Sequence, residues 1–267
     1  MRRKAAVAGQ FYYETPAKLS HQVELYVSNS LPREHAVGIL APHAGLIYSG
    51  AVAGDVYSRI VMPDTFILIG PNHTGLGGYM ALMSEGEWEI PTGVLSVDER
   101  LAKRILSHVP LVSDDTQAHM FEHSLEVQLP FIARFSKKSK IVPLTMMSAS
   151  LEECKTLGEG IAKAVQGADY PIVIVASSDM SHYVSDATAR KKDKLALDRV
   201  LSIDPEGLFG IVRKEQISMC GYLPATTMLF AAKSLGAKES KLVRYATSGE
   251  VSGDYDHVVG YAGIIIS

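Results

Sequence analysis

Cysteine is scarce in this chain. Only Cys154 and Cys220 occur in 267 residues, which excludes a disulfide framework and fits a reducing compartment. No run reaches the roughly 20 apolar residues that a membrane-spanning helix needs. The charged start Met1-Arg2-Arg3-Lys4 is followed by only Ala5 to Ala8 before Gly9 and Gln10, too short an apolar run for a signal peptide. A cytoplasmic protein with no membrane partner is expected. Charge of one sign is also missing: 26 basic residues against 29 acidic ones lack the basic footprint of a nucleic-acid binder. Arg190, Lys191, Lys192 and Lys194 cluster locally, but Asp193 interrupts them on a predicted helix, which reads as a solvated face. There is no repeat and no Pro/Ser-rich linker, so residues 1–267 read as a single domain. No G-x-S-x-G elbow supports a serine hydrolase, and Gly75-Leu76-Gly77-Gly78 lacks the Lys-Ser/Thr of a phosphate-binding loop and reads as a turn.

Apolar residues are present in quantity: 47% hydrophobic against 21% charged is enough for a large core. Continuous Ile/Val/Leu runs predict buried strands at Val37–Ala41, Thr65–Ile69, Lys140–Leu144, Pro171–Ala176 and Val258–Ile266. Helical patterns at Tyr48–Ile60, Val97–Leu106, Glu122–Phe135, Leu151–Val165, Ala187–Leu201 and Cys220–Leu235 lie between them. This alternation predicts an α/β fold with a central, mostly parallel sheet flanked by helices. Tyr79–Ser84 and Lys241–Ser248 read as antiparallel edges, which would make the sheet mixed.

Three of these strands run into loops that carry histidine. The first ends in Ala41-Pro42-His43-Ala44-Gly45, the second in Gly70-Pro71-Asn72-His73, and the fourth in Ser177-Ser178-Asp179-Met180-Ser181-His182. Sites in open α/β sheets form at the carboxyl ends of the strands. Parallel strands would put all three imidazoles on one sheet edge, where a single site explains them more simply than three separate turn roles. His21, His35 and His108 read as surface residues. His257, in Asp254-Tyr255-Asp256-His257, reads as a solvated turn, with a place lining the site as an alternative that its spacing does not mark.

His119-Met120-Phe121-Glu122-His123 has the H-x-x-E-H pattern of inverted zinc peptidases. That chemistry needs both histidines on one helical turn, whereas Asp114-Asp115-Thr116-Gln117 just before them reads as a loop. Cys220 falls near a predicted helix start, where exposed N–H groups favour a thiolate ligand or nucleophile, although a free cysteine is more often a small buried apolar residue. Cys154, on an amphipathic helix, reads as a small buried residue. Trp88, in Gly86-Glu87-Trp88-Glu89, reads either as a pocket wall or as a surface hairpin anchor.

Taken in order, these segments resemble the Memo family, the "B" component of the AmmeMemoRadiSam set. The matching residues are Ala8-Gly9-Gln10-Phe11-Tyr12, Ala41-Pro42-His43-Ala44-Gly45 with Tyr48 and Gly50, and Gly70-Pro71-Asn72-His73. Further matches are Glu122-His123-Ser124-Leu125-Glu126 with Leu129-Pro130, Ser177 to His182, and Cys220-Gly221 with Pro224. The resemblance implies a fold like that of the class III extradiol ring-cleaving dioxygenases. It also implies a metal held by His43, His73 and Cys220, the cysteine standing where the dioxygenases have a glutamate. His182 matches their acid/base histidine. Asp179 is expected to fix its tautomer, with Glu122 and His123 as pocket residues that orient the ligands. Iron(II) is the favoured metal, with copper or zinc as alternatives. The implied function is a metal-dependent oxidoreductase acting on an undefined small substrate. The alternative is a non-enzymatic module that captures a small molecule or peptide in the same cleft. A radical-SAM partner is implied by the family set.

Overall fold

A computed structural model describes residues Met1–Ser267. Four parallel strands form its centre, in the spatial order Gly38–Ala41, Ile172–Ser177, Thr65–Pro71 and Lys140–Met146. Every residue of Gly38–Ala41 and Thr65–Pro71 is buried, as continuous Ile/Leu runs require when both sheet faces are covered. Val258–Ile266 joins the Gly38–Ala41 edge antiparallel, and Ser240–Thr247 pairs antiparallel with Val258–Ile266 in turn. Met80–Leu82 adds an antiparallel strand beside Lys140–Met146. The sheet is therefore mixed, with a parallel centre, in a single α/β domain.

Helices cover both faces. A Cβ on Gly38 would strike Met228 of helix Tyr222–Ser234, whereas one on Gly263, which points the opposite way, would strike Val56 of helix Leu46–Ser58. The helix starts follow ordinary capping chemistry. Ser150 and Glu153 form a capping box at Leu151–Gln166, and Asp98 caps Glu99–His108 through the Leu101 N–H. Helices Pro16–Glu24 and Pro205–Lys214 lie outside the predicted set, although both carry proline at their first turn. No helix is long and apolar enough to cross a membrane.

One predicted helix is corrected. Glu122–Phe135 is helical only from Leu129 to Phe135, after a short 3₁₀ turn at Glu126–Gln128. The Glu126 carboxylate accepts from the distant Ala6 and Val7 N–H groups and Tyr12 Oη, and that of Glu122 from the His73 N–H and ring and from the neighbouring Ser124 N–H, which holds the first half of this stretch as a loop.

Arg3, in the charged start of the chain, is fully buried. Its guanidinium pairs with Glu126 and lies 4.0 Å from the centre of the Trp88 ring. Trp88 is likewise fully buried in the hairpin Glu87–Ile90/Gly93–Ser96, so it anchors that hairpin from the interior and is neither a pocket wall nor a surface residue. His119 sits edge-on to Trp88, fully buried, with neither ring nitrogen hydrogen-bonded. Its 3₁₀ turn, Gln117–His119, ends before His123, so the two histidines share no helical turn and the zinc-peptidase geometry is absent.

Burial, reinforced by the Arg3 charge, holds the His119 pKa down at about 4. An unfolded histidine titrates near 6.5, so between these values the unfolded chain binds the extra proton and stability falls as pH falls. By pH 4.5 this group alone is expected to cost about 2–3 kcal/mol. His119→Phe should therefore lose less stability than the wild type between pH 7 and 4.5 in urea denaturation. Equal losses would contradict the assignment.

Candidate metal centre

Parallel pairing brings the strand-end loops together. Ala41 lies opposite Ser177, and Ile69 opposite Ala176, so the chain leaves three neighbouring strands on one edge at His43, Asp179 and His73. The loop after His119 supplies His123 from the side. Potential ligand atoms of His43, His73 and His123 all lie within 4.8 Å of one another. The His73 and His123 rings stack with centroids 4.5 Å apart, and both meet His43 edge-on, at 5.3 and 5.5 Å.

Two of the three imidazoles, His73 and His43, are oriented by hydrogen bonds from outside the cluster. The buried Glu122 carboxylate accepts from His73 Nδ1 at 2.9 Å and also from the His73 and Ser124 backbone N–H groups. This leaves His73 Nε2 for the centre. Burial alone would raise the Glu122 pKa. The His73 hydrogen bond and charge, the Ser124 N–H and the His123 ring outweigh it and bring the group to about 2. His43 is buried, with Nδ1 3.0 Å from Ser177 Oγ. Burial, then the neighbouring His123, His73 and His182 rings, holds it well below the ordinary histidine range. Burial also brings His123 down to about 4. At neutral pH, His43 and His123 are therefore uncharged and offer lone pairs, the form a metal ion needs.

Cys220 precedes helix Tyr222–Ser234, as expected. Gly221 permits this approach, because a Cβ there would lie 2.3 Å from the Ser177 carbonyl oxygen. Cys220 Sγ is 3.3 Å from His43 Nε2 and accepts the Asp179 N–H at 3.3 Å. Of the three imidazoles it contacts only His43, so the compact set is three histidines with the thiol beside one of them. Burial, with the nearby Asp179 carboxyl, pushes the thiol pKa up. Without a cation it stays protonated, and a coordinated ion would displace that proton.

His182 lines the same cavity of about 550 Å³ as His43, His73 and His123. Its Nδ1 lies 2.8 Å from the Ser218 carbonyl oxygen and must donate to it, so Nε2 is the free acceptor. This corrects the expected role of Asp179. Oδ1 of Asp179 accepts the His43 and Ala44 backbone N–H groups, and it is the Ser218 carbonyl that sets the His182 tautomer. Asp179 is buried, and burial raises its pKa against the pull of those N–H groups. Phe11, Tyr48, Tyr183 and Tyr261 supply aromatic walls, and His257 lines the cavity although its sequence setting reads as a solvated turn.

The donor chemistry fits a metal. Neutral imidazoles and a thiol suit iron, copper or zinc, and a carboxylate behind one imidazole is the usual outer partner of a metal-binding histidine. The position of His123 inside the cluster is not read from the sequence, where it resembles a peptidase motif or an orienting residue. Its signals are adjacency to Glu122 and membership of the Glu122 to Glu126 match, and neither places its ring among the other two imidazoles.

A profile described as Memo-like protein matches residues 3–265. The chain is 42% identical to a MEMO1 family protein of Pyrobaculum aerophilum, with 98% of each chain covered. It is 41% identical to one of Aquifex aeolicus, again over 98% of each, and 38% identical to one of Methanothermobacter thermautotrophicus, over 98% of this chain and 99% of that protein. The crystal structure of an uncharacterized protein from Escherichia coli has a similar fold, with a TM-score of 0.56 at 15% identity, covering 85% of this chain and 98% of that one. With matches that run nearly end to end, the chain belongs to the Memo-like protein family.

Proposed function

We propose that the protein is a metal-dependent oxidoreductase acting on a small molecule, with iron(II) as the favoured ion and copper or zinc as alternatives. The carrying observation is the convergence of His43, His73 and His123 on one cavity that also holds His182. His43, His73 and His123 would hold the ion, and Cys220 would join them from the His43 side. When bound, such an ion supplies Lewis acidity and, for iron or copper, electron transfer. His182 Nε2, kept free by the Ser218 carbonyl, takes or returns a proton at the substrate. Phe11 and Tyr48 position the substrate and limit water. The resemblance to class III extradiol dioxygenases supports this division between holding residues and an acid/base histidine. Replacing their carboxylate by imidazole and thiol changes the electron donation to the ion, so ring cleavage is not carried over with the fold.

Glu122→Gln keeps the shape of the side chain but removes the charge behind His73. It is expected to weaken iron(II) binding about 10–100-fold. Anaerobic titration followed by equilibrium dialysis measures this, and unchanged affinity would remove Glu122 from the centre.

A second reading, capture of a small molecule or peptide without turnover, is favoured by the exposed aromatic rim, where Tyr183 is 76% and Tyr48 40% accessible. Thermal-shift screening of small acids and peptides, with and without chelator, separates the readings. Binding that survives chelation supports capture, and binding lost with the metal supports the oxidoreductase.

A further inference from the structure

His73 is oriented by a carboxylate, but His43 has no charged partner on Nδ1. A neutral network stands there instead, and its hydrogen-bond count admits only one arrangement. Ser177 Oγ, fully buried, lies 2.6 Å from the Ser124 carbonyl oxygen. A carbonyl can only accept, so the single Ser177 hydroxyl proton lies on that line. Gln128, also fully buried, has its amide orientation set in the same way. Nε2 faces the Pro42 carbonyl oxygen at 2.9 Å, and Oε1 accepts from Tyr57 Oη at 3.0 Å. Gln128 Nε2 therefore donates its second proton to Ser177 Oγ, at 2.8 Å, in preference to the Ala41 carbonyl oxygen at 3.5 Å. With its own proton given to Ser124, Ser177 Oγ can only accept from His43 Nδ1, 3.0 Å away.

We propose that Ser177 and Gln128 are positioning residues that hold His43 in the Nδ1–H tautomer, so that its Nε2 lone pair is presented beside Cys220 to an incoming ion. The inference rests on the metal-centre reading for its purpose, but not for the tautomer itself. The two oriented imidazoles then differ in kind. His73 is backed by a negative charge that raises its donor strength, and His43 by a dipolar chain that fixes direction without adding charge. Tyr57 stacks on Phe131 at 5.6 Å and 4° between planes, which ties the far end of the chain to the core.

Long-range ¹H–¹⁵N correlation spectra of the metal-free, histidine-labelled protein at pH 7 read the tautomer directly. The wild type is expected to show His43 Nδ1 protonated and Nε2 bare. Ser177→Ala should give a mixture of tautomers and weaken zinc(II) binding about 10–100-fold by calorimetry. Ser177→Thr, which keeps the hydroxyl, should restore both. Gln128→Met removes a donor to Ser177 and should shift the mixture in the same direction, to a smaller extent. An Nε2–H tautomer in the wild type, or an unmixed Nδ1–H signal in a folded Ser177→Ala protein, overturns the proposal. If Ser177→Ala fails to fold, the wild-type spectrum and Gln128→Met still decide it. The predicted tautomers without zinc binding in any protein would leave the proposal standing and remove the metal-centre reading.

Discussion

Glu126→Ala is expected to cost about 3–5 kcal/mol of folding stability, the range for breaking a buried ion pair from one side. Both Arg3 and Glu126 have fully buried side chains. Removing the carboxylate leaves an unpaired guanidinium in the interior. It also strips acceptors from the Ala6 and Val7 N–H groups and from Tyr12 Oη. The double variant Arg3→Met/Glu126→Leu should recover only the part of the loss that comes from the unpaired guanidinium, because leucine returns no acceptor to the Ala6 and Val7 N–H groups or to Tyr12 Oη. The effect should reach the metal centre as well. Arg3 donates to the His119 and Glu122 carbonyl oxygens, bracketing the loop that presents Glu122 and His123. Guanidinium denaturation measures the first effect. A loss below about 1 kcal/mol, as for a solvent-exposed pair, would contradict the burial argument.

The second large effect concerns the ligands. His43→Ala and His73→Ala are each expected to lower iron(II) affinity by more than about 100-fold, beyond what loss of an outer hydrogen-bond partner produces. His123→Ala should behave like them if the three imidazoles share one ion. A loss of only about 10-fold would instead mark His123 as an orienting group. Cys220→Ala tests whether the thiol joins them. Cys154→Ala is the control: that thiol is buried in the apolar core, where burial raises its pKa to about 11, and it should leave affinity unchanged. Equal affinity for wild type and His43→Ala would place the ion elsewhere.

Legibility in the sequence followed the physics of each element. The parallel strands were readable because both faces are covered, which demands unbroken Ile/Val/Leu runs such as Phe66 to Ile69. His43 and His73 were readable because polar residues directly after such runs fall on a single sheet edge. His123 was not, because its place depends on a long-range bond from Glu122 to His73, which local periodicity cannot show. The burial of Arg3 is not legible because its partner Glu126 lies far along the chain. Ser177 and Gln128 escape notice for a related reason: a serine ending a strand and a glutamine before a helix carry no signal until their neighbours are known.

The most direct measurement is an anomalous-difference map, at the iron edge, of crystals loaded with iron(II) under anaerobic conditions. The account predicts one peak in the cavity, about 2.0–2.3 Å from imidazole nitrogens of His43, His73 and His123, with sulfur of Cys220 in reach. A fully loaded protein whose only peak lies away from His43 and His73 would contradict it.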